Sequence, residues 1–158
     1  MIIIIDSREQ KPLKFKKNSV VKEVIKQPIP IGKTRFSLDY GCKFKDGHIP
    51  AVFFERKEMT DLFGTLKTKD GYNRFRRKMK AAQEAGITIM LIVEGSLCDV
   101  LKGTKYSKVK GLEVVRSMFT IWFKYGVVPV FTSDRVDMVQ YIVEFYHSME
   151  KDYMRRKK

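Results

Sequence analysis

Cysteine is scarce in this 158-residue sequence, which contains only Cys42 and Cys98, far apart and without C-x-x-C spacing. This scarcity argues against a disulfide framework and against a cysteine zinc site, and it makes a reducing compartment the default expectation. The two histidines, His48 and His147, are also isolated from each other. Surface or packing roles are therefore expected for both histidines rather than catalysis.

Long hydrophobic runs are absent as well. No stretch of about 18 apolar residues occurs, so no transmembrane helix is expected. The apolar run Met1–Ile5 is too short for a signal peptide and has no basic flank before it. Repeats, low-complexity blocks and linkers are also lacking, and the length fits one domain spanning residues 1–158. We therefore expect a soluble, intracellular single domain with no membrane partner and a basic tail over residues 152–158, frayed over residues 155–158.

Acidic residues are few relative to basic ones. The sequence has 32 Lys and Arg against 18 Asp and Glu, a formal net charge of +14, and 44% hydrophobic residues. The hydrophobic fraction fits a globular protein. The positive charge favours a polyanionic partner, because each neutralised phosphate releases counterions. Nucleic acid is the leading candidate, and acidic proteins or lipid head groups are the alternatives.

The first third of the chain predicts strands with little helix. Ile2–Ile5 is apolar and β-branched throughout, which is typical of a strand buried on both faces. Residues 20–25 are predicted as a short helix. Residues 36–44 and 51–55 are predicted as two antiparallel strands, because Asp46-Gly47 between them is a hairpin turn signal.

Helical and apolar β segments alternate after residue 60. Helices are predicted over residues 60–66, 72–85 and 112–125, strands over 87–93 and 127–131, loops over 67–71 and 103–111, and a last helix is capped by Ser133. Phe119 and Trp122 are expected in the core. This alternation implies parallel βαβ units. The expected fold is α/β, a mixed β-sheet flanked by helices on both faces.

Three charged residues of the predicted hairpin form a candidate catalytic set. Glu55 and Lys57 are two apart, and residues i and i+2 of a strand point to the same face. Asp39 lies on the preceding strand, which the hairpin brings beside Glu55. Two carboxylates can hold Mg²⁺, which keeps several of its waters, and a nearby lysine can orient an attacking water. From spacing alone, a solvated salt-bridge ladder on a hairpin explains the pattern equally well.

The wider motif context resembles the nuclease domain of the XPF family of structure-specific DNA endonucleases. Asp6-Ser7-Arg8-Glu9 follows an apolar strand, Leu38-Asp39-Tyr40 comes next, and Glu55-Arg56-Lys57 is followed after three residues by Asp61. The resemblance covers roughly residues 2–145. It implies a restriction-endonuclease-like nuclease core that hydrolyses phosphodiester bonds in duplex or branched DNA.

The resemblance also implies a role for each matching residue. Asp39 and Glu55 would bind Mg²⁺ or Mn²⁺, with the main-chain carbonyl of Arg56 as a further ligand, and Lys57 would orient the water. Asp6 would lie near the metal, Arg8 would organise the acids or touch a phosphate, and Arg56 and Asp61 would support the site. Apart from the resemblance, the basic residues of 74–80 and of the loop at 103–111 supply the DNA-contacting candidates Arg74, Arg77, Lys78, Lys105 and Lys108, and a solvated charged face is the alternative for residues 74–80.

The sequence departs from the family pattern in three ways. Leu38 replaces the usual glycine, the gap between Asp39 and Glu55 is longer than usual, and no C-terminal helix-hairpin-helix module is expected within the 158 residues. In the family the last two helices form a dimer interface, which implies a homodimer here. The alternative function is a non-catalytic DNA-binding module or the partner subunit of a nuclease complex.

Overall fold

The backbone forms six strands and five helices, described by a computed structural model for residues 1–158. The strands are β1 (Ile2–Ile5), β2 (Glu23–Lys26), β3 (Tyr40–Lys43), β4 (Val52–Glu58), β5 (Thr88–Glu94) and β6 (Val128–Thr132). The helices are α1 (Met59–Lys67), α2 (Lys69–Glu84), α3 (Leu97–Lys102), α4 (Gly111–Tyr125) and α5 (Arg135–Arg156). None of these helices combines the length and the apolar character that a membrane span requires.

All six strands belong to one mixed sheet in the order β2-β1-β3-β4-β5-β6. β1 pairs antiparallel with β3, and β3 pairs antiparallel with β4, whereas β1–β2, β4–β5 and β5–β6 are parallel pairs. The parallel part is built by β-α-β crossovers, because α1 and α2 connect β4 to β5 and α3 and α4 connect β5 to β6. The expected mixed α/β sheet is confirmed.

Helices cover both faces of the sheet, as predicted. Alternate side chains of β5 divide between two cores, with Leu91 on one face and Ile92 on the other. The first core joins the sheet to α1, α2 and α4, and the second joins it to α5 through residues such as Tyr146. We call these faces the α1/α2 face and the α5 face.

The register of β3 and β4 decides where the predicted catalytic residues lie. Tyr40 pairs with Phe54, and both are fully buried on the α5 face. Glu55, the next residue of β4, therefore points to the α1/α2 face, because successive side chains of a strand alternate between faces. Asp39 directly precedes β3, and the hydrogen bond from its N–H to the Phe54 oxygen brings it beside Glu55.

The turn between α1 and α2 is very tight, and this places α2 over the end of β4. Thr68 alone separates the two helices, and its side chain accepts a hydrogen bond from the Gly71 N–H. A Cβ atom on Gly71 would lie 2.4 Å from the main-chain oxygen of Gly64, so only glycine fits at this position. The predicted loop over residues 67–71 was therefore wrong, since the polar residues there cap a helix instead.

Several other local predictions were also wrong. Residues 20–25 form no helix, because Val24 and Ile25 pair with β1 as part of β2. The short helix α3 was missed. Asp134, and not Ser133, caps α5 by accepting hydrogen bonds from the N–H groups of two helix residues. The tail is helical up to Arg156, since Asp152 forms ion pairs with Arg155 and Arg156 one turn later.

The expected burial of Phe119 and Trp122 was wrong as well. Their exposed fractions are 41% and 43%, and the neighbouring Phe123 is 82% exposed. The buried face of α4 is formed instead by residues such as Met118 and Ile121. Both stripes of this helix are apolar, so helical periodicity alone did not indicate which one faces the sheet.

Candidate active site

Glu55 is a buried carboxylate held by two lysines. Its exposed fraction is 3%, and it lies near the middle of β4 on the α1/α2 face. The Lys57 Nζ donates to Glu55 Oε1 over 2.8 Å, as the i, i+2 spacing predicts. The Lys78 Nζ, which comes from α2, donates to Glu55 Oε2. Each oxygen of Glu55 therefore accepts a hydrogen bond from a different ammonium group.

Asp39 is fixed beside Glu55 by main-chain hydrogen bonds. Its N–H donates to the Phe54 oxygen over 2.9 Å, and its own carbonyl accepts from the Asp6 N–H over 2.8 Å. The Arg56 N–H donates to Asp39 Oδ2 over 2.7 Å. The other carboxylate oxygen, Oδ1, receives no hydrogen bond from the protein. Asp39 is thus held rigidly, with one oxygen available to a ligand.

The two carboxylates have opposite electrostatic environments. Burial, followed by repulsion from the charge of Glu55, raises the pKa of Asp39 well above its usual range. Burial also opposes ionisation of Glu55, but Lys78 and Lys57 outweigh it and hold the pKa of Glu55 below its usual range. A cation placed between the two carboxylates would relieve their repulsion.

The Arg56 side chain points to the opposite face of β4 from Glu55 and Lys57. It is 8% exposed and forms ion pairs with Glu9 at 3.2 Å, Glu58 at 3.2 Å and Glu94 at 3.3 Å. Its contact with the candidate catalytic set is through the main chain, where its N–H meets Asp39. The Arg56 guanidinium therefore links the ends of neighbouring strands, and it forms no ion pair with Asp39 or Glu55.

Asp6 ties together the turn that follows β1. Its Oδ2 accepts from the Ile29 N–H over 2.8 Å, and its Oδ1 accepts from the Arg8 N–H over 2.7 Å and from Arg8 Nε over 3.2 Å. Although burial opposes its ionisation, the Ile29 and Arg8 hydrogen bonds lower the pKa of Asp6. Arg8 itself remains half exposed, so its guanidinium reaches solvent beside the site.

A basic cleft opens in front of Glu55 and Lys57. Its volume is about 610 Å³, and it lies between β4, α1 and α2. A second cavity of about 400 Å³ contains Asp39 and shares Arg8, Lys57 and Asp61 with the first. We call the two together the β4–α2 cleft; its charged lining also includes Asp6, Glu9, Lys11, Arg35, Glu55, Arg56, Glu58, Arg74 and Lys78.

The donor set of this cleft fits a divalent cation bound by few protein groups. No cluster of three or more His, Cys, Asp or Glu side chains suited to a metal occurs in the structure. Asp39 and Glu55, whose negative charges repel each other across the cleft, are the candidate ligands. Hard oxygen ligands suit Mg²⁺, which keeps several waters and needs only one or two carboxylates. The free Oδ1 of Asp39 and the repulsion between the two acids both fit such an ion.

Comparison with known protein families identifies the family of this chain. The family model for the ERCC4 domain matches residues 5–145, a span that contains the whole cleft. The chain belongs to the ERCC4 domain family. The predicted resemblance to the XPF family is thereby confirmed, since two XPF structures also match this ERCC4 domain across nearly all of its length. No curated protein matches it.

The matching structures share the fold of this ERCC4 domain. XPF from Aeropyrum pernix is 19% identical with a TM-score of 0.63, and the match covers 99% of this chain and 66% of that one. XPF from Aeropyrum pernix in complex with DNA is 17% identical with a TM-score of 0.61, covering 96% of this chain and 65% of that one. The ERCC4 domain thus spans about two thirds of each matched chain.

Within the ERCC4 domain, the candidate DNA-contacting residues divide between two places. Arg74 and Lys78 line the cleft, and Arg77 is exposed on α2. Lys105 and Lys108 are exposed on the loop before α4, where Tyr106 borders a separate cavity of about 210 Å³ on the far side of α1. The structure therefore brings only part of the predicted set together with the carboxylates.

The contact between Lys78 and Glu55 was not predicted from the sequence. Lys78 was expected to contact DNA from the surface of α2, but it is 14% exposed and forms an ion pair with Glu55. The signal in the sequence was its spacing, because Phe75 and Met79 are buried and residue 78 adjoins that buried stripe. Leu38, where the XPF family usually has glycine, is fully buried in the core of the α1/α2 face.

Proposed function

We propose that this ERCC4 domain is a divalent-metal-dependent DNA endonuclease that hydrolyses phosphodiester bonds in duplex or branched DNA. The observation that carries the proposal is that Asp39, just before β3, lies beside Glu55 and Lys57 of β4 in a cleft with basic walls. Family membership supports it, because the motifs resemble those of the structure-specific DNA endonucleases of the XPF family.

Each residue of the cleft has a proposed role. Asp39 and Glu55 hold Mg²⁺ or Mn²⁺, and the main-chain carbonyl of Arg56 adds a third protein oxygen. When bound, the ion polarises the phosphate and lowers the pKa of a water molecule. Lys57 stays protonated beside Glu55, because the carboxylate raises its pKa despite burial, and its ammonium orients the water or neutralises charge on the phosphate.

DNA binding is proposed along the positive side of the cleft. Arg74 faces the carboxylates from α2, and Arg8 reaches solvent from the opposite wall. Asp61, in the first turn of α1, lines both cavities of the β4–α2 cleft and supports the site. The net charge of +14 supports a polyanionic substrate. XPF from Aeropyrum pernix has been solved in complex with DNA, which makes DNA the first substrate to test.

We also propose that two copies associate through the last two long helices. Phe119, Trp122 and Phe123 form an exposed aromatic group on α4, where the Trp122 and Phe123 rings stack at 6.0 Å. Val136 on α5 is 77% exposed. Exposed apolar groups of this kind are typical of protein interfaces.

A second candidate function is a non-catalytic DNA-binding module or partner subunit. One observation favours it: both oxygens of Glu55 are already paired with lysines, so the carboxylate is neutralised without a metal. The two functions differ in whether the domain cuts DNA, and not in whether it binds.

A nuclease assay tests the proposal. Labelled duplex, forked, flapped and four-way-junction DNA are incubated with the wild type in Mg²⁺, in Mn²⁺ and in EDTA, and with Asp39→Ala in each metal. The expected result is metal-dependent cutting that the variant loses, with DNA affinity largely kept. DNA that is bound but never cut by the wild type on any substrate would favour the non-catalytic module.

A further inference from the structure

Lys78 contacts the candidate metal ligand from outside the motif that contains Glu55 and Lys57. Those two residues share strand β4, whereas Lys78 reaches Glu55 Oε2 from α2, a different element 23 positions later in the chain. The Lys78 side chain is 14% exposed, so the pair is largely shielded from water. Since Lys57 binds Oε1, neither oxygen of Glu55 is free.

The position of the Lys78 backbone is firmly fixed, but its ammonium is not. Phe75 and Met79 on the same helix are 4% and 0% exposed, and both pack in the core of the α1/α2 face. The four-carbon stem of a lysine has several rotatable bonds and carries a compact charge. Because Lys78 lines the cleft, its ammonium can move from Glu55 into that open space without any backbone change.

The charges of the site balance without a metal. When both acids are ionised, two carboxylates, Asp39 and Glu55, face two ammonium groups, Lys57 and Lys78, and the net charge of the four is zero. A divalent cation added to this set leaves an excess of two positive charges at short range, which is unfavourable in a partly buried site. Release of one ammonium group from the carboxylates reduces that excess.

We infer that Lys78 occupies the place on Glu55 that the divalent cation takes, and that metal binding displaces its ammonium into the β4–α2 cleft, where it meets a DNA phosphate. This inference rests on the proposed function, because it assumes that Glu55 is a metal ligand. Lys78 is then a positioning residue that couples metal binding to DNA binding. The coupling is reciprocal, so bound DNA also strengthens metal binding.

Lys57 is less suited to this exchange. It projects from the same strand as Glu55, two residues away, and its Nζ lies 6.0 Å from the centre of the Phe75 ring. The backbone spacing places both side chains on the same face of β4, so the Lys57 stem starts beside Glu55. Lys78 meets Glu55 only through its side chain.

Mn²⁺ titration of the full chain, followed by electron paramagnetic resonance of the free ion, tests the inference without relying on activity. The wild type is compared with Lys78→Met, which keeps the stem and removes the charge, and with Arg74→Met, which removes another cation from the cleft. Lys78→Met is expected to bind Mn²⁺ about tenfold more tightly. Arg74→Met is expected to change the affinity by less than about twofold, because its charge is more exposed.

Lys78→Arg serves as a second variant, which keeps the charge and tests the site even if Lys78→Met fails to fold. An arginine is expected to compete with the ion, so its Mn²⁺ affinity stays near that of the wild type. With a phosphorothioate duplex that resists cutting, Mn²⁺ affinity is expected to rise for the wild type and to change less for Lys78→Met.

The outcomes separate the inference from the proposed function. Wild-type binding of Mn²⁺ with equal or weaker binding by Lys78→Met overturns the inference alone. An equal gain in Lys78→Met and Arg74→Met also overturns it, because the effect is then general charge removal. Absence of Mn²⁺ binding by the wild type and by every variant overturns the metal site itself, and with it the inference.

Discussion

Glu55 is a buried acid that remains charged because residues from two elements neutralise it. A carboxylate that is 3% exposed is costly unless it is paired and hydrogen-bonded, and here Lys57 and Lys78 provide both. Removal of either lysine leaves the acid less compensated. At this position stability and chemistry therefore depend on the same side chains.

Asp6 stabilises the turn after β1, and Asp6→Asn is expected to lower the free energy of unfolding. The carboxylate accepts main-chain hydrogen bonds from Ile29 and Arg8 at 2.8 and 2.7 Å, and an amide cannot replace both charge-assisted contacts. The expected loss at about pH 7 is about 1–3 kcal/mol, measured by urea denaturation.

The same variant has a defined pH dependence. The folded state lowers the pKa of Asp6 from 3.8, so the ionised side chain stabilises the fold above that value. This contribution is lost as the pH falls through the lowered pKa. The stability difference between wild type and Asp6→Asn should therefore shrink as the pH falls below 3.8. A difference that stays constant with pH would contradict the role assigned to the Asp6 charge.

At the residue scale, the contacts that follow from a single hairpin could be predicted from the sequence. Asp39 beside Glu55, and Glu55 beside Lys57, follow from strand pairing and i, i+2 spacing. Lys78 did not follow, because its contact with Glu55 depends on how α2 packs over the sheet. Arg56 was placed in the motif correctly, but alternation on β4 sends its side chain to the opposite face.

At the scale of elements, the strands and long helices could be predicted because their apolar patterns are periodic and continuous. The helix predicted over residues 20–25 does not form because Val24 and Ile25 pair with β1, and local propensity does not reveal this tertiary pairing. The prediction of which face of α4 is buried failed because this helix has two apolar stripes. In both cases tertiary contacts decided between two locally acceptable structures.

The cap of α5 provides a test at this scale. Asp134 Oδ1 accepts hydrogen bonds from the N–H groups of Val136 at 2.7 Å and Asp137 at 2.9 Å. Asp134→Ala is expected to cost about 1 kcal/mol of unfolding free energy, the typical loss for a helix N-cap. Ser133→Ala, its matched control, is expected to cost less, since Ser133 only contacts the Asp137 carboxylate and its own side chain is exposed. The reverse order in chemical denaturation would restore Ser133 as the cap.

Helix α2 is the element expected to contact the DNA backbone. Arg74→Ala and Arg77→Ala should each reduce the slope of log affinity against log salt by about one unit if each arginine contacts a phosphate. Lys151→Ala on α5, an exposed residue on the other side of the sheet, should leave the slope unchanged. An unchanged slope for both arginine variants would make them part of a solvated face.

At the scale of the whole molecule, the exposed aromatic group on α4 predicts self-association. Light scattering at working concentration should give twice the 18.5 kDa mass of one chain. Phe123→Asp should give the monomer, because it places a charge in the apolar contact. Tyr106→Asp, at an aromatic residue that is 73% exposed but belongs to the loop before α4, should remain dimeric. A monomeric mass for the wild type would count against the proposed dimer.

The proposed function requires that Asp39 and Glu55 act together as the metal centre for DNA cleavage. Its most direct test is the single-turnover cleavage rate in Mg²⁺ for the wild type, Asp39→Asn and Glu55→Gln, with DNA affinity measured separately for each. Each amide keeps the shape of the side chain and removes its charge. Both variants are expected to bind DNA and to cut it at least about 100-fold more slowly than the wild type. Cutting at the wild-type rate by either variant would contradict the assignment of Asp39 and Glu55 as the metal centre.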